Sequence, residues 1–153
     1  MQKRYYSYEE FKDDIKAIYE ESREFNPDTI LAIARGGLCI MHFLANFSGI
    51  RRVYSWSIIS YDDEQKLGFL EIGTIPDLKD SKRVLIVDDI VDSGDTAKSV
   101  LEILKTRYPQ IDFKLATIFW RPTASISPDF FVKESSEWID FFWEVDLKRD
   151  SNV

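Results

Sequence analysis

Val84-Leu85-Ile86-Val87-Asp88-Asp89-Ile90-Val91-Asp92-Ser93-Gly94-Asp95-Thr96 is the stretch whose reading decides the fold. The apolar run Val84 to Val87 reads as a strand buried on both faces, as in a parallel sheet. Such a strand delivers Asp88 and Asp89 to the carboxyl edge of the sheet, where open α/β sheets bind ligands. A loop over Ile90 to Asp95 and a helix over Thr96 to Thr106 are expected to follow, and a helix N-terminus favours an anion through its amides and dipole. Carboxylates for hydroxyls or a cation, amides for a phosphate, and a third acid between them, Asp92, suit a phosphorylated sugar bound with a divalent metal. Solvated acids beside an ordinary helix cap would explain any one of these residues, but not the whole run. A phosphoacceptor pocket of receiver type also contains Val-Asp-Asp after a strand. There the strand opens the domain, whereas here only Ile90 to Val153 remain.

Working outward, Ser7 and Glu10 stand at capping-box spacing ahead of a helical pattern of Phe11, Ile15, Ile18 and Tyr19, ending near Asn26-Pro27. Thr29 to Ala34 reads as a strand, Arg35-Gly36-Gly37 as a loop and Leu38 to Phe47 as a helix. Val53 to Ser60 is a strand by its β-branched and aromatic content. Tyr61 to Lys79 is polar and reads as a long loop, in which Tyr61 to Gly73 is expected to act as a lid. Phe113 to Phe119 and Phe130 to Val132 are further strands, and Trp138, Phe141, Phe142 and Trp143 form an aromatic cluster. Strands alternating with helices give an α/β fold: a single domain over 1–153, with a mostly parallel sheet flanked by helices. Its core is expected over about 29–120, with a small C-terminal hood at about 121–146 plus the N-terminal segment.

Composition narrows the function. The chain has 153 residues, 20 basic against 27 acidic side chains and a net charge of −7. That balance argues against nucleic acid as partner, since such binding neutralises phosphates with Lys and Arg. No run of roughly 20 apolar residues marks a membrane span, and no leader pattern opens the chain, so the cytoplasm is the expected location. A lone cysteine, Cys39, precludes an internal disulfide and reads as core. His42, the only histidine, lacks partners at metal spacing and reads as packing or surface.

Val84 to Ala97 resembles the phosphoribosyl pyrophosphate (PRPP) signature of type I phosphoribosyltransferases. Ala34-Arg35-Gly36-Gly37 resembles their pyrophosphate loop, in which related enzymes often carry a cis peptide, and Ile59-Ser60-Tyr61-Asp62 resembles the entry to their catalytic loop. Ile118 to Pro122, with Glu137-Trp138-Ile139-Asp140 through Glu144, resembles the purine hood of bacterial xanthine–guanine phosphoribosyltransferases.

The resemblance implies that PRPP, a purine base and Mg²⁺ bind, with Asp92 as general acid/base near N7. It assigns PRPP to Asp88, Asp89, Asp92, Ser93, Gly94, Asp95 and Thr96, and pyrophosphate to Arg35, Gly36, Gly37 and Lys66. It assigns the purine to Arg121, Trp138 and Ile139, and metal to Asp88, Asp89 and Glu144. The implied activity is purine salvage: transfer to guanine, xanthine or hypoxanthine, by a homodimer or homotetramer.

Three departures from the family pattern stand out. In the phosphate loop Ser93 replaces a threonine and keeps the hydroxyl while Asp95 adds a charge, Arg121 replaces a lysine, and Glu144 replaces an aspartate. The alternatives are a non-catalytic PRPP or nucleotide sensor of the same fold, or a transferase for another base. Asp92 and the intact Arg35-Gly36-Gly37 loop favour the enzyme.

Overall fold

The strands Thr29–Ala34 (β2) and Arg83–Val91 (β5) are apolar on both sides because helices cover both faces of the sheet they share. The computed structural model describes residues 2–63 and 66–147, side chains of 61–69 excepted. The remaining elements are β1 (Lys3–Tyr6), α1 (Tyr8–Ser22), α2 (Gly37–Ser48), β3 (Arg52–Asp63), β4 (Lys66–Ile72), α3 (Asp95–Arg107), β6 (Asp112–Trp120), β7 (Phe130–Glu134), β8 (Trp138–Phe141) and α4 (Phe142–Val145). Six strands form one sheet in the order β4-β3-β2-β5-β6-β7, and only the β3–β4 pair is antiparallel.

Alternation along the strands builds a core on each face. Ile30, Ala32, Leu85 and Val87 pack under Phe11, Ile15 and Ile18 of α1 and Ile40 and Leu44 of α2. Leu31, Ile33, Val84 and Ile86 face the other way, toward Ala97, Val100 and Leu104 of α3. The capping box at Ser7 and Glu10 forms with both reciprocal bonds and starts α1. Cys39 packs against the first core, where burial pushes its thiol up, and His42 lies exposed on α2 with its ring edge-on to Phe43.

Two expectations are corrected. The polar stretch beginning at Tyr61 is not one long loop: β3 continues to Asp63 and β4 returns antiparallel from Lys66, pairing Ile58 with Ile72 and Ser60 with Leu70. Antiparallel pairing satisfies the backbone of a segment in which Leu67, Phe69, Leu70 and Ile72 are interspersed with Gly68 and Glu71, and it needs no continuous apolar run. Positions 64 and 65 of the expected lid, and the side chains of 61–69 including Lys66, lie outside the described residues. The hairpin is closed at its base by Gly73 N–H donating to the Ser57 carbonyl (2.8 Å) and Trp56 Nε1–H to the Gly73 carbonyl (3.0 Å). Second, Ile90 and Val91 are strand rather than loop, because they continue the ladder against Phe119 and Trp120 of β6.

A smaller sheet completes the molecule. Among the described residues β1 pairs in parallel with β8 alone, matching Lys3 to Trp138 and Tyr6 to Phe141. The C-terminal aromatics close this hood over the main core: Phe141 stacks on Trp143 (4.7 Å, 14°), and Tyr6 meets Phe119 edge-on at 5.2 Å.

Candidate active site

Because β2, β5 and β6 run parallel, their carboxyl ends open at one edge of the sheet. β2 delivers Arg35-Gly36, β5 delivers the acids and the phosphate-type loop, and β6 delivers Arg121. The Ala34–Arg35 peptide is cis, and Arg35 is exposed. A cavity of about 770 Å³ lies over this edge, lined among others by Asp88, Asp92, Ser93, Thr96, Ser60 and Leu70.

Asp88 and Asp89 sit side by side at the end of the strand. Asp88 Oδ1 accepts the Asp89 backbone N–H (2.9 Å), and Asp89 Oδ1 accepts that of Ile90 (2.7 Å). Burial, then the neighbouring Asp89 charge, pushes the Asp88 carboxyl well above the usual range. Burial likewise pushes Asp89 up to about 6, with the Glu144 charge adding to the rise. Gly36 is packed against this pair: a Cβ there would stand 2.5 Å from Asp89 Oδ2. Any larger residue in the first loop at this point would have to displace the Asp89 carboxylate.

This donor set fits magnesium. The ion prefers hard oxygen ligands and is usually held by one or two carboxylates plus substrate phosphates rather than by an all-protein cage. Among the described residues no three acids cluster closely enough to hold a metal unaided. Asp88 and Asp89 would hold the ion, and Glu144, exposed on α4, reaches Asp89 through its field.

Beyond Val91 the chain turns through Asp92, Ser93 and Gly94 into α3. Gly94 takes φ +93° as the residue preceding the helix, and a Cβ there would meet Ser125 Oγ at 2.7 Å and Ile126 Cγ2 at 2.9 Å. The Ser93 carbonyl accepts the Ser125 N–H (2.8 Å), so the loop is pinned to the turn after β6. The Ser93 hydroxyl accepts the Asp95 N–H (3.2 Å), and the Asp95 side chain is exposed in the first turn of α3. With thirteen residues in α3, its N-terminal amides add dipolar attraction for a phosphate at Ser93 to Thr96.

Arg121 joins three parts of the site. Its backbone N–H donates to the Val91 carbonyl (3.0 Å), Nη2 donates to the Glu137 carbonyl (2.9 Å), and Nε lies 2.6 Å from Asp92 Oδ1. The Nε contact is coulombic rather than an aligned hydrogen bond, since Nε finds no acceptor along its N–H direction. The guanidinium is 12% exposed and Asp92 63% exposed, so the carboxylate faces the cavity. The resemblance offered Arg121 as a donor to a base; its ties to Asp92 and Glu137 were not legible in spacing. Glu137 leads into Trp138, whose indole is half exposed and donates to Asp140 Oδ1 (3.2 Å), while the Ile139 side chain is buried.

Known proteins share the sequence and fold of this chain. The chain matches the phosphoribosyl transferase domain model over residues 1–150. It belongs to the phosphoribosyltransferase family. It is 32% identical to a xanthine-guanine phosphoribosyltransferase of Cereibacter sphaeroides, across 78% of this chain and 70% of that one. The Helicobacter pylori xanthine-guanine-hypoxanthine phosphoribosyltransferase superposes with a TM-score of 0.89 at 38% identity, covering 95% of this chain and 96% of that one. A purine phosphoribosyltransferase from Pyrococcus horikoshii gives 0.83 at 33% identity over 99% of both chains. In this phosphoribosyltransferase the acid pair and the loop before α3 stand at one edge of the main sheet, and Arg121 links that edge to the hood through the Glu137 carbonyl. No helix among its described residues is long and apolar enough to cross a membrane.

Proposed function

We propose that this phosphoribosyltransferase serves purine salvage, moving the phosphoribosyl group of PRPP to N9 of a 6-oxopurine and releasing pyrophosphate. The observation that carries the reading is the carboxylate–guanidinium pair of Asp92 and Arg121, 2.6 Å apart beside the phosphate loop and tied to the stacking strand. A 6-oxopurine presents a carbonyl oxygen at C6 and a nitrogen at N7 on one edge. An acid/base group beside a donor-only guanidinium complements that edge.

In this reading Asp88 and Asp89 bind the ribose hydroxyls and the magnesium site. The Ser93 to Thr96 amides and hydroxyls cradle the 5′-phosphate, and Arg35, Gly36, Gly37 and Lys66 hold the pyrophosphate. Magnesium, when bound, supplies positive charge for the departing pyrophosphate. Asp92 manages the proton at N7 as the N9 bond forms. Trp138 stacks on the base and main-chain groups at Ile139 meet its edge. The half-exposed indole of Trp138 supports that role.

The names of relatives at 32–38% identity support 6-oxopurines over other bases. Incubation with PRPP, Mg²⁺ and guanine, xanthine or hypoxanthine in turn should yield, for at least one of them, the nucleoside 5′-monophosphate and pyrophosphate in equal amounts. PRPP binding without any base-dependent product would contradict the proposal and favour a sensor.

A further inference from the structure

The hood strand β8 stands outside the six-stranded sheet, and among the described residues its one strand partner is β1. The place of Trp138 and Ile139 relative to the phosphate loop therefore depends on what holds β1 and β8 to the core. That attachment combines apolar packing of Tyr6, Ile139 and Phe141 in the first core with a polar clamp beside it. Tyr6, fully buried at the end of β1, donates its hydroxyl to Asp14 Oδ2 of α1 at 2.6 Å. Lys133 of β7 donates to the same oxygen at 2.7 Å and stands 3.6 Å from Glu10. Its ammonium also lies 5.3 Å from the centre of the Tyr6 ring. Asp14 is 5% exposed, so its charge has to be paired, and both partners come from other elements.

We infer that Tyr6, Asp14 and Lys133 are positioning residues that set the height of the base-stacking strand over the PRPP site, an inference that rests on the purine reading above. The geometry separates the two substrates. Tyr6 is in register with Phe141 on β8, and its ring meets Phe141, Trp143 and Phe119 edge-on at 5.7, 6.1 and 5.2 Å. A shift of Tyr6 is thereby passed to the strand bearing Trp138. The loops assigned to PRPP hang instead from β2 and β5, at the centre of the main sheet, and none of the three clamp residues hydrogen-bonds to them. Burial and the Asp14 carboxylate keep the Tyr6 phenol protonated, its pKa far above the ordinary value, so the donor is constant across the working pH range. A network serving the fold alone would lower stability and leave the balance between the two substrates unchanged.

Tyr6→Phe tests this, because it keeps the ring and removes only the donor. The expected result is a rise in base KM of about tenfold, the equivalent of one hydrogen bond to a charged group. PRPP KM and kcat should stay within about twofold, well inside the effect of one such bond. Amide exchange of Trp138 to Phe141, followed by mass spectrometry without substrate, should quicken, while that of α3 does not. Lys133→Met should act in the same direction and Lys133→Arg should restore most of the loss; these serve if Tyr6→Phe does not fold. Equal rises in both KM values, or unchanged exchange in β8, would overturn the inference. If the unmodified protein converts no purine, the functional reading fails, and the exchange arm alone still decides whether the clamp holds the strand.

Discussion

Asp89→Asn should make the metal-free protein more stable at neutral pH and much less so at acid pH. Asp89 has its carboxyl pushed from 3.8 up to about 6, chiefly by burial. Below pH 3.8 the folded and unfolded chains both carry the proton, and the group costs nothing. Between 3.8 and about 6 the unfolded chain ionises first, so stability falls as pH rises, and above that the loss is complete. At about 1.4 kcal/mol per pH unit the full cost approaches ~3 kcal/mol. The edge of the sheet is open to the cavity, and water screening there should leave about 1–2 kcal/mol. Asparagine keeps an oxygen to accept the Ile90 N–H and removes the charge. For a chain of this length that corresponds to a rise in Tm of about 3–8 °C at pH 7.5, and of about 1–2 °C at pH 4.5, both in EDTA. Transferase activity should collapse in the same variant, since the acid that costs stability is the one assigned to metal and ribose. A Tm unchanged or lowered at pH 7.5, or a gain equal at the two pH values, would refute the reasoning.

Asp92→Asn should lower kcat by ~10²–10⁴-fold with PRPP KM nearly unchanged, measured by steady-state kinetics; near-normal kcat would remove Asp92 from the mechanism. Arg121→Ala should raise KM for 6-oxopurines and narrow their advantage over adenine. Arg121→Lys should keep that advantage but raise base KM by about tenfold, because one ammonium cannot engage Asp92, the Glu137 carbonyl and the base together. Gly36→Ala places a methyl 2.5 Å from Asp89 Oδ2 and must push that side chain aside. An off-rotamer carboxylate costs ~1 kcal/mol, so PRPP KM should rise by about fivefold or more in a protein that still folds; an unchanged KM would show that Asp89 does not meet PRPP.

The parts of this protein legible in sequence are those whose physics is local. Val84 to Val87 alternates no polar residue and so had to be a doubly covered strand; Ser7 and Glu10 cap each other across one turn; Ser93 to Thr96 leads directly into α3. The parts that stayed hidden depend on partners distant in the chain. Ile90 and Val91 look like loop until β6 is laid beside them, and β4, whose Leu67, Phe69, Leu70 and Ile72 are broken up by Gly68 and Glu71, reads as a strand only once it is paired with β3. Arg121 reads as a base donor, but its hold on Asp92 and Glu137 appears only when β5, β6 and the hood converge. The clearest case is Asp14, which no local pattern singles out, yet it is buried against Lys133, 119 positions away.

The measurement that tests the central claim most directly is kcat/KM of the unmodified protein for guanine, xanthine, hypoxanthine and adenine, with PRPP and Mg²⁺ saturating and nucleotides separated by chromatography. Arg121 offers donors only, so the amino group of adenine would face it donor to donor. Sites built to bond a specific group can reject the wrong analogue by ~10⁴–10⁵, and a hood as open as the half-exposed Trp138 surrenders part of that. The account predicts at least one 6-oxopurine converted with an advantage over adenine of about a hundredfold or more. Comparable values for adenine and guanine would contradict both the role of Arg121 and the assignment to 6-oxopurines.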